Sequence, residues 1–327
     1  MIISNRKGIM NFKISVIIPV FNAQLYIEKS ILSALDQKEV AEVIVVDDGS
    51  TDDTSKILAK LEKEYSKIRT YKHPNGENLG RPSSKNLGIT MVTCPFIAFL
   101  DADDYYLENR FENDARMFAE DSSIDGVYNA IGAHFYRNAS EEEKERLKLT
   151  TIQYQIESNE LFDKMSPKGD AGYFSGDGLT VKREIFEKVG YFDNRLKVAE
   201  DTHMWIKMSL KAKLVAGIID RPVSIRGVHE SNVFHLYSSF LYKSNMASMF
   251  SFLLKWAYSN HLKMSVLEYF YKNSYIYFKY LGEGEKFKEF GILNWLEYAL
   301  KYPKLLRSKY FIYTNPLVTF YRKRLKS

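Results

Sequence analysis

The chain has 327 residues, of which 45% are hydrophobic and 27% charged, with a formal net charge of +5 and one cysteine, Cys94. This length and composition are typical of a folded protein with more than one structural unit. A single cysteine excludes an internal disulfide, and no stretch approaches the roughly 20 apolar residues of a membrane-spanning helix. We therefore expect a cytoplasmic protein.

Strand and helix patterns alternate in the first hundred residues, after an N-terminal tail (1–11) in which Met1 or Met10 is the start. The predicted elements are strands at 14–18, 43–46 and 96–100 and helices around 25–35, 57–65 and 83–91, with a loop at 73–80. Pro19 closes the first strand. Strands separated by helices of this length imply parallel βαβ units, so the N-terminal half is predicted to be an α/β sheet.

The middle of the chain is less regular. The predicted elements are a helix at 107–119, a charged insertion at 139–170, a glycine-rich loop at 172–178, a short helix at 185–189 and a helix through 202–213.

Residues 233–327 differ in composition from the rest. No acidic residue follows Glu297, whereas eight lysines and arginines do, so this tail carries +8 against +5 for the whole chain. Its dense aromatic residues predict a small helical core. The alternative interpretation is docking on an anionic membrane surface. Nucleic-acid binding is not favoured, because no recognition motif accompanies the charge.

Three carboxylates end the apolar run Phe96–Leu100. Asp101 and Asp103 are two residues apart, so their side chains lean to the same side of a strand end, where ligands of α/β sheets bind. Hard oxygen ligands there suit Mg²⁺ or Mn²⁺. The same acids also fit a polar turn in which Asp104 caps the following helix, and these residues alone leave both interpretations open.

Six motifs, in this order and spacing, resemble the family 2 glycosyltransferases of the GT-A fold. They are Ile14–Asn22, Val45–Asp52, Asn78–Gly88, Phe99–Asp104, Val181–Asp193 and Glu200-Asp201. The resemblance covers roughly residues 12–232, the predicted catalytic domain, and leaves 233–327 as a C-terminal helical region. It implies an inverting transfer of a sugar from a nucleotide diphosphate donor, a UDP-sugar, that depends on Mn²⁺ or Mg²⁺. The acceptor implied is a hydroxyl of a glycan or lipid-linked saccharide in bacterial surface polysaccharide assembly.

The resemblance also implies roles for individual residues. These are Pro19, Phe21, Asp48, Arg81, Lys85, Asp101 and Ala102 for the nucleotide sugar, Asp103 and His229 for the metal ion, and Asp201 as the general base. Four of these assignments have a structural alternative: a turn for Asp48, a surface loop around Lys85, a helix cap for Asp201 and an exposed loop position for His229.

Two competing functions remain. A sugar nucleotidyltransferase also binds nucleotide sugars, but it favours a glycine-rich basic loop after the first strand, where this chain has Val20-Phe21-Asn22-Ala23. A glycosyltransferase-like scaffold without activity is the second, and the presence of Asp103 and Asp201 argues against it. Peripheral attachment to the inner face of the cell membrane is a further hypothesis.

Overall fold

The computed structural model describes residues 12–230, 232, 240–281 and 292–318. The predicted N-terminal tail and the basic residues after position 318 lie outside these ranges. The strands are β1 (Ile14–Val20), β2 (Val40–Asp47), β3 (Ile68–Lys72), β4 (Phe96–Phe99), β5 (Tyr105–Tyr106), β6 (Gly126–Tyr128), β7 (Ile131–Phe135), β8 (Leu179–Lys182), β9 (Leu214–Ala216) and β10 (Ser224–Val228). The helices are α1 (Ile27–Leu35), α2 (Thr54–Glu64), α3 (Arg81–Met91), α4 (Glu112–Glu120), α5 (Glu141–Leu147), α6 (Leu161–Lys164), α7 (Ile185–Val189), α8 (Glu200–Lys211), α9 (Phe240–Ser259), α10 (Met264–Leu281), α11 (Ile292–Lys301) and α12 (Lys309–Tyr313).

Seven strands form the main sheet in the order β3-β2-β1-β4-β8-β6-β9. The first four are mutually parallel, and β8 pairs antiparallel with both β4 and β6. Along β1, Val16 and Ile18 belong to one apolar cluster and Ile17 to another. Apolar side chains on both faces are what a parallel strand covered by helices requires. The predicted α/β fold is confirmed.

Pro19 lies inside β1 rather than closing it, because the strand continues to Val20. β4 pairs with β1 only as far as Ile17, where its last residue Phe99 lies opposite. Pro19 therefore lies beyond the last ladder bond on that side, and its missing N–H leaves no partner unsatisfied.

The prediction of a helix over 107–119 is wrong at its start. Residues 108–111 form turns, and α4 begins only at Glu112. The preceding Tyr105 and Tyr106 form strand β5, which pairs antiparallel with β10. Strand β3 was not expected, since its sequence Ile68-Arg-Thr-Tyr-Lys72 has no apolar run; it is an edge strand that only β2 pairs. The short helix at 185–189 and the helix after Glu200 are confirmed.

A second, three-stranded sheet has the order β5-β10-β7. It links the residues after Asp104 to the strand that precedes His229, because Tyr105 pairs with Ile225. Gly227 packs so closely on the Asp103 carbonyl oxygen that a Cβ there would overlap it. This pairing fixes the end of β10 beside the end of β4.

The chain divides into two compact units, one of Met1–Asn194 and Met204–Asn232 and the other of Arg195–His203 and Val233–Ser327. The second unit has a helical core of aromatic side chains, as predicted: Tyr271 packs on Phe311 at 4.8 Å and shares a 2.6 Å hydrogen bond with Thr314. In the described ranges, no helix has the length and apolarity needed to cross a membrane.

Candidate active site

Parallel strands bring most of the predicted site residues to one edge of the main sheet. β1, β2 and β4 are adjacent, so the residues that follow them, Phe21, Asp48 and Asp101, meet at their carboxyl ends. Strand β10 of the small sheet adds His229 to this edge.

Asp103 and His229 are in direct contact. Nε2 of His229 lies 2.8 Å from Oδ2 of Asp103, and Nδ2 of Asn232 donates to the same oxygen at 3.1 Å. The Tyr26 ring stacks on the imidazole at 4.7 Å, which holds its plane. Both side chains keep some exposure, 27% for Asp103 and 14% for His229. Two ligands at right angles around one cation, each about 2.1 Å from it, stand roughly 3 Å apart, so this pair fits a divalent cation.

A second group of acids lies deeper. Asp101, Asp104 and Asp177 each place a carboxylate oxygen within 4.8 Å of the others. The Asp101 N–H donates to Asp177 at 3.0 Å, and the Gly227 N–H donates to Asp104 at 2.8 Å. Asp104 is buried and bonded to β10, while α4 begins only at Glu112. The expectation that Asp104 caps a helix is therefore wrong.

Basic side chains face Asp101. Burial raises the pKa of its carboxyl, but the positive charges of Lys85, Arg81 and Arg226 outweigh burial, so the pKa of Asp101 lies below its ordinary value. Arg81 and Lys85 lie one turn apart on α3, and Lys85 is buried with Nζ 5.4 Å from the Phe192 ring centre. Both predicted phosphate-binding cations are thus in the electrostatic environment of Asp101.

The other acids have the opposite shift. Burial and the negative charge of Asp177 raise the pKa of Asp104 well above its ordinary value, and burial and Asp101 raise the pKa of Asp177. Burial and Asp101 also raise the pKa of Asp103, against the hydrogen bond from His229. Crowded carboxylates of this kind are relieved by a bound cation, and their hard oxygens suit Mg²⁺ or Mn²⁺.

A buried network supports Asp177 from beneath. Nε of Arg110 donates to the Asp177 carbonyl oxygen at 3.2 Å, and Nη1 of Arg110 pairs with Asp114 at 2.8 Å. Asp114 also accepts from Asn129 at 3.0 Å and from Thr180 at 2.6 Å. Sequence reasoning missed both Asp177 and this network. The only signal for Asp177 was a single acid between two glycines in a segment interpreted as a loop.

The turn after β2 is tightly held. Asp47 accepts from the Ser50 N–H at 2.9 Å and from the Ser55 hydroxyl at 2.6 Å. Burial raises the pKa of Asp47, but these hydrogen bonds outweigh it, so the pKa is lowered. Gly49 has a φ of 80°, and a Cβ there would lie 2.6 Å from the Gly76 carbonyl oxygen. Only glycine tolerates both the positive φ and the close approach of this oxygen.

Asp48 is buried and holds the loop before α3. Its two carboxylate oxygens accept from the backbone N–H groups of Leu79 at 2.8 Å and Gly80 at 2.9 Å. Nε2 of His73 lies 3.4 Å away. A carboxylate oxygen has a second lone pair, so this contact leaves capacity for another donor. Asp48 therefore ties two of the predicted motifs together.

The remaining predicted nucleotide residues differ in accessibility. The Phe21 ring is exposed beside the turn after β2, where Asn22 accepts from the Thr51 N–H at 2.8 Å. Pro19 lies within the buried strand β1, and Ala102 belongs to the apolar cluster under the sheet. Phe21 thus offers a ring face to a ligand, whereas Ala102 offers mainly its backbone.

Asp201 lies in the first turn of α8. This turn belongs to Arg195–His203, the segment grouped with the second unit, whereas Asp103 and His229 belong to the first. The preceding Glu200 is buried. Asp201 thus has the helix-start position that the sequence predicted.

Comparison with known proteins identifies relatives of this arrangement. A family model described as "Glycosyl transferase family 2" matches residues 15–190. An uncharacterized glycosyltransferase of Rickettsia bellii is 33% identical over 66% of this chain and 29% of its own length. A GalNAc(5)-diNAcBac-PP-undecaprenol beta-1,3-glucosyltransferase of Campylobacter jejuni is 38% identical over 29% of this chain and 31% of its own length. The chain spans between 29% and 54% of the length of the first three curated relatives.

Solved structures share the fold. S. aureus TarS 1-349 in complex with UDP-GlcNAc has a TM-score of 0.58 at 20% identity, covering 93% of this chain and 82% of that one. The mannosyltransferase PcManGT from Pyrobaculum calidifontis, in complex with GDP-Man and Mn²⁺, has a TM-score of 0.52 at 16% identity, covering 92% and 84%. The predicted GT-A fold class is confirmed.

Proposed function

This chain belongs to glycosyl transferase family 2 and is a glycosyltransferase, and from that premise we propose that it is a metal-dependent, inverting enzyme that uses a UDP-sugar. The observation that carries the proposal is the Asp103–His229 pair, partly exposed at the end of β4 and 2.8 Å apart. The carboxylates and the imidazole suit a metal ion, and the neighbouring basic side chains suit an anion. Together they suit a substrate that is an anion bound to a metal ion.

The nucleotide sugar is proposed to bind along the carboxyl ends of β1, β2 and β4. The exposed Phe21 ring would stack on the base, and Asp48 would accept from a ring N–H. Arg81 and Lys85 would compensate the diphosphate charge, in keeping with their influence on Asp101. Uridine is favoured because the structurally similar TarS fragment was solved with UDP-GlcNAc.

Asp103 and His229 are proposed as the residues that hold the divalent cation, with Asp101 beside them. A bound Mn²⁺ or Mg²⁺ would supply Lewis-acid neutralisation of the negative charge that develops on the departing diphosphate. Asp104 and Asp177 are buried, and Arg110 donates to the Asp177 carbonyl oxygen, so the proposed task of these two acids is to hold the loop that carries Asp103.

Asp201 is proposed as the general base. It takes the proton of the acceptor hydroxyl while that oxygen bonds to the anomeric carbon, and the bond from this carbon to the diphosphate oxygen breaks on the opposite face. One new glycosidic bond forms, and the configuration inverts.

The acceptor is proposed to be a glycan or lipid-linked saccharide of bacterial surface polysaccharide. The support is the Campylobacter relative, whose name describes transfer to an undecaprenol-linked saccharide. A membrane-embedded acceptor would place the enzyme at the inner face of the cell membrane.

A donor panel tests the proposed function. Release of UDP from several UDP-sugars is measured with Mn²⁺, with Mg²⁺ and with EDTA, with GDP-mannose as the comparison donor. We expect turnover of at least one UDP-sugar that EDTA abolishes and added metal restores. Release from GDP-mannose alone would refute the UDP assignment. Absence of turnover and of binding for every donor would favour a scaffold, and pyrophosphate release from UTP and a sugar phosphate would identify a nucleotidyltransferase.

A further inference from the structure

Helix α11 has two different sides. On one side, the Trp295 ring stacks on Phe311 at 4.8 Å and its indole N–H donates to the Phe311 carbonyl oxygen at 2.9 Å. Tyr298, one turn later, lies within hydrogen-bond distance of Ser251 at 3.2 Å. This side anchors the helix in the core of the second unit.

The opposite side of α11 is apolar and exposed. Leu293 is 79% exposed, Leu296 43% and Leu300 82%. Spacings of three and four residues place the three leucines in one stripe, about half a turn away from Trp295 and Tyr298. Contiguous exposed apolar surface of this kind marks interaction sites for proteins or membranes.

The residues after α11 extend this character. Every third position from 305 to 314 is buried, namely Leu305, Ser308, Phe311 and Thr314, and most of the positions between them are exposed. The exposed large apolar residues from α11 to the end of the described chain are Leu293, Leu296, Leu300, Leu306, Ile312, Tyr313 and Leu317. We call the α11 stripe of Leu293, Leu296 and Leu300 the leucine face.

The charges beside the leucine face are positive. Its exposed basic side chains are Lys301, Lys304, Arg307 and Lys309. Glu297 is the only acid from position 292 to the end of the sequence, and it pairs with Lys301 at 2.5 Å. Apolar side chains flanked by several cations match the two layers of an anionic membrane surface, acyl chains and headgroup phosphates.

We propose that the leucine face docks on an anionic lipid bilayer, with the leucines at the acyl boundary and the lysines and arginines among the headgroups. A second copy of this chain fits less well, because two such faces would bring basic groups together with one acid on each side. The proposal rests on the proposed function in one respect only: a lipid-linked acceptor would require the enzyme to work at a membrane. The surface itself stands on exposure and charge.

Vesicle binding of the full chain tests the docking. Co-sedimentation is measured with phosphatidylcholine vesicles and with equimolar phosphatidylcholine and phosphatidylglycerol vesicles, for the wild type and for L293S/L300S. Both leucines are exposed, so the exchange leaves the core intact. We expect binding to the anionic vesicles only, weakened roughly tenfold or more by the double exchange. The matched control L25S replaces a leucine that is 78% exposed in the first unit and should bind like the wild type.

A second variant pair, K304Q/R307Q, tests the electrostatic half of the contact. It should lower binding to anionic vesicles and reduce the dependence of binding on salt. Equal binding to both vesicle types, no binding to either, or unchanged binding of L293S/L300S would overturn the proposal. A wild-type dimer that L293S/L300S dissociates, without a change in vesicle binding, would assign the face to a second copy instead. UDP release in vesicle-free buffer is measured in parallel, so that loss of the proposed activity and loss of docking are told apart.

Discussion

His229 Nε2 lies 2.8 Å from Asp103 Oδ2 although 126 residues separate the two in sequence. The contact depends on the pairing of β5 with β10. This pairing brings the strand that precedes His229 next to the residues that follow Asp103. It brings an imidazole and a carboxylate together where both side chains stay partly exposed.

Exchange of either residue should weaken metal-dependent turnover. We expect D103N and H229Q each to lower kcat/KM about 100-fold, because the charge that develops on the leaving diphosphate loses its stabilisation. UDP release against Mn²⁺ concentration measures this, and the midpoint of the titration should move to higher metal. The control D121N removes an acid that pairs with Lys213 at the surface, and should leave the titration unchanged. Wild-type metal dependence in both site variants would contradict the metal assignment.

D201N separates chemistry from donor binding. An amide cannot take the acceptor proton, so transfer should fall by roughly 10²–10⁴-fold, while UDP-sugar affinity stays near the wild-type value. Calorimetric binding of the donor and single-turnover transfer measure the two quantities. Asp220 is an exposed acid, and D220N serves as the control. If transfer by D201N persists at the wild-type rate, another residue is the base.

D48N tests whether Asp48 supports the loop before α3. The amide NH₂ cannot accept, so one of the N–H groups of Leu79 and Gly80 loses its partner, and the free energy of unfolding should fall by about 1–3 kcal/mol. Urea denaturation measures this change, and donor binding should weaken with it. D53N, which breaks an exposed pair with Lys56, should cost less than about 1 kcal/mol. A D48N protein as stable as the wild type would leave Asp48 only its nucleotide role.

Two arginine–acid pairs near α4 differ mainly in burial. Arg110 pairs with Asp114 where neither side chain is exposed, and Arg116 pairs with Glu120 at the surface, each at a spacing of four residues. R110L leaves the buried Asp114 without its arginine partner, so the free energy of unfolding should fall by about 3–5 kcal/mol. R116L should change it by less than about 1 kcal/mol. Equal effects in urea denaturation would show that the network around Asp177 does not stabilise the fold.

Lys207 gives the stability a distinct pH dependence. Burial lowers the pKa of its amine to about 8, and Nζ donates to the Tyr191 carbonyl oxygen at 2.9 Å. Between this value and the unfolded pKa of about 10.4, the unfolded chain binds more protons, so Lys207 makes stability rise as pH increases through that window. K207M should remove the rise, as measured by the unfolding free energy at several pH values. K211M, on the exposed side of α8, should keep it.

The sequence by itself determined the elements whose patterns are local. Continuous apolar runs predicted β1, β2 and β4, helical periodicity predicted α1 and α2, and the motifs predicted the fold family, which the structure and the comparisons confirm. The sequence also predicted that Asp101 and Asp103 end a buried strand. These features depend on residues a few positions apart, so a pattern of side chains is enough to specify them.

Tertiary structure alone decided which distant groups meet. Asp104 became a buried partner of Gly227 rather than a cap, and Asp177 joined the acids through a loop with no distinguishing sequence. Tertiary packing also decided which side of α11 faces water. Trp295 contacts Phe311 only in the packed second unit, and this contact leaves the opposite side of the helix exposed. Burial and charge at these positions come from contacts between segments far apart in the chain, and a local sequence pattern cannot predict such contacts.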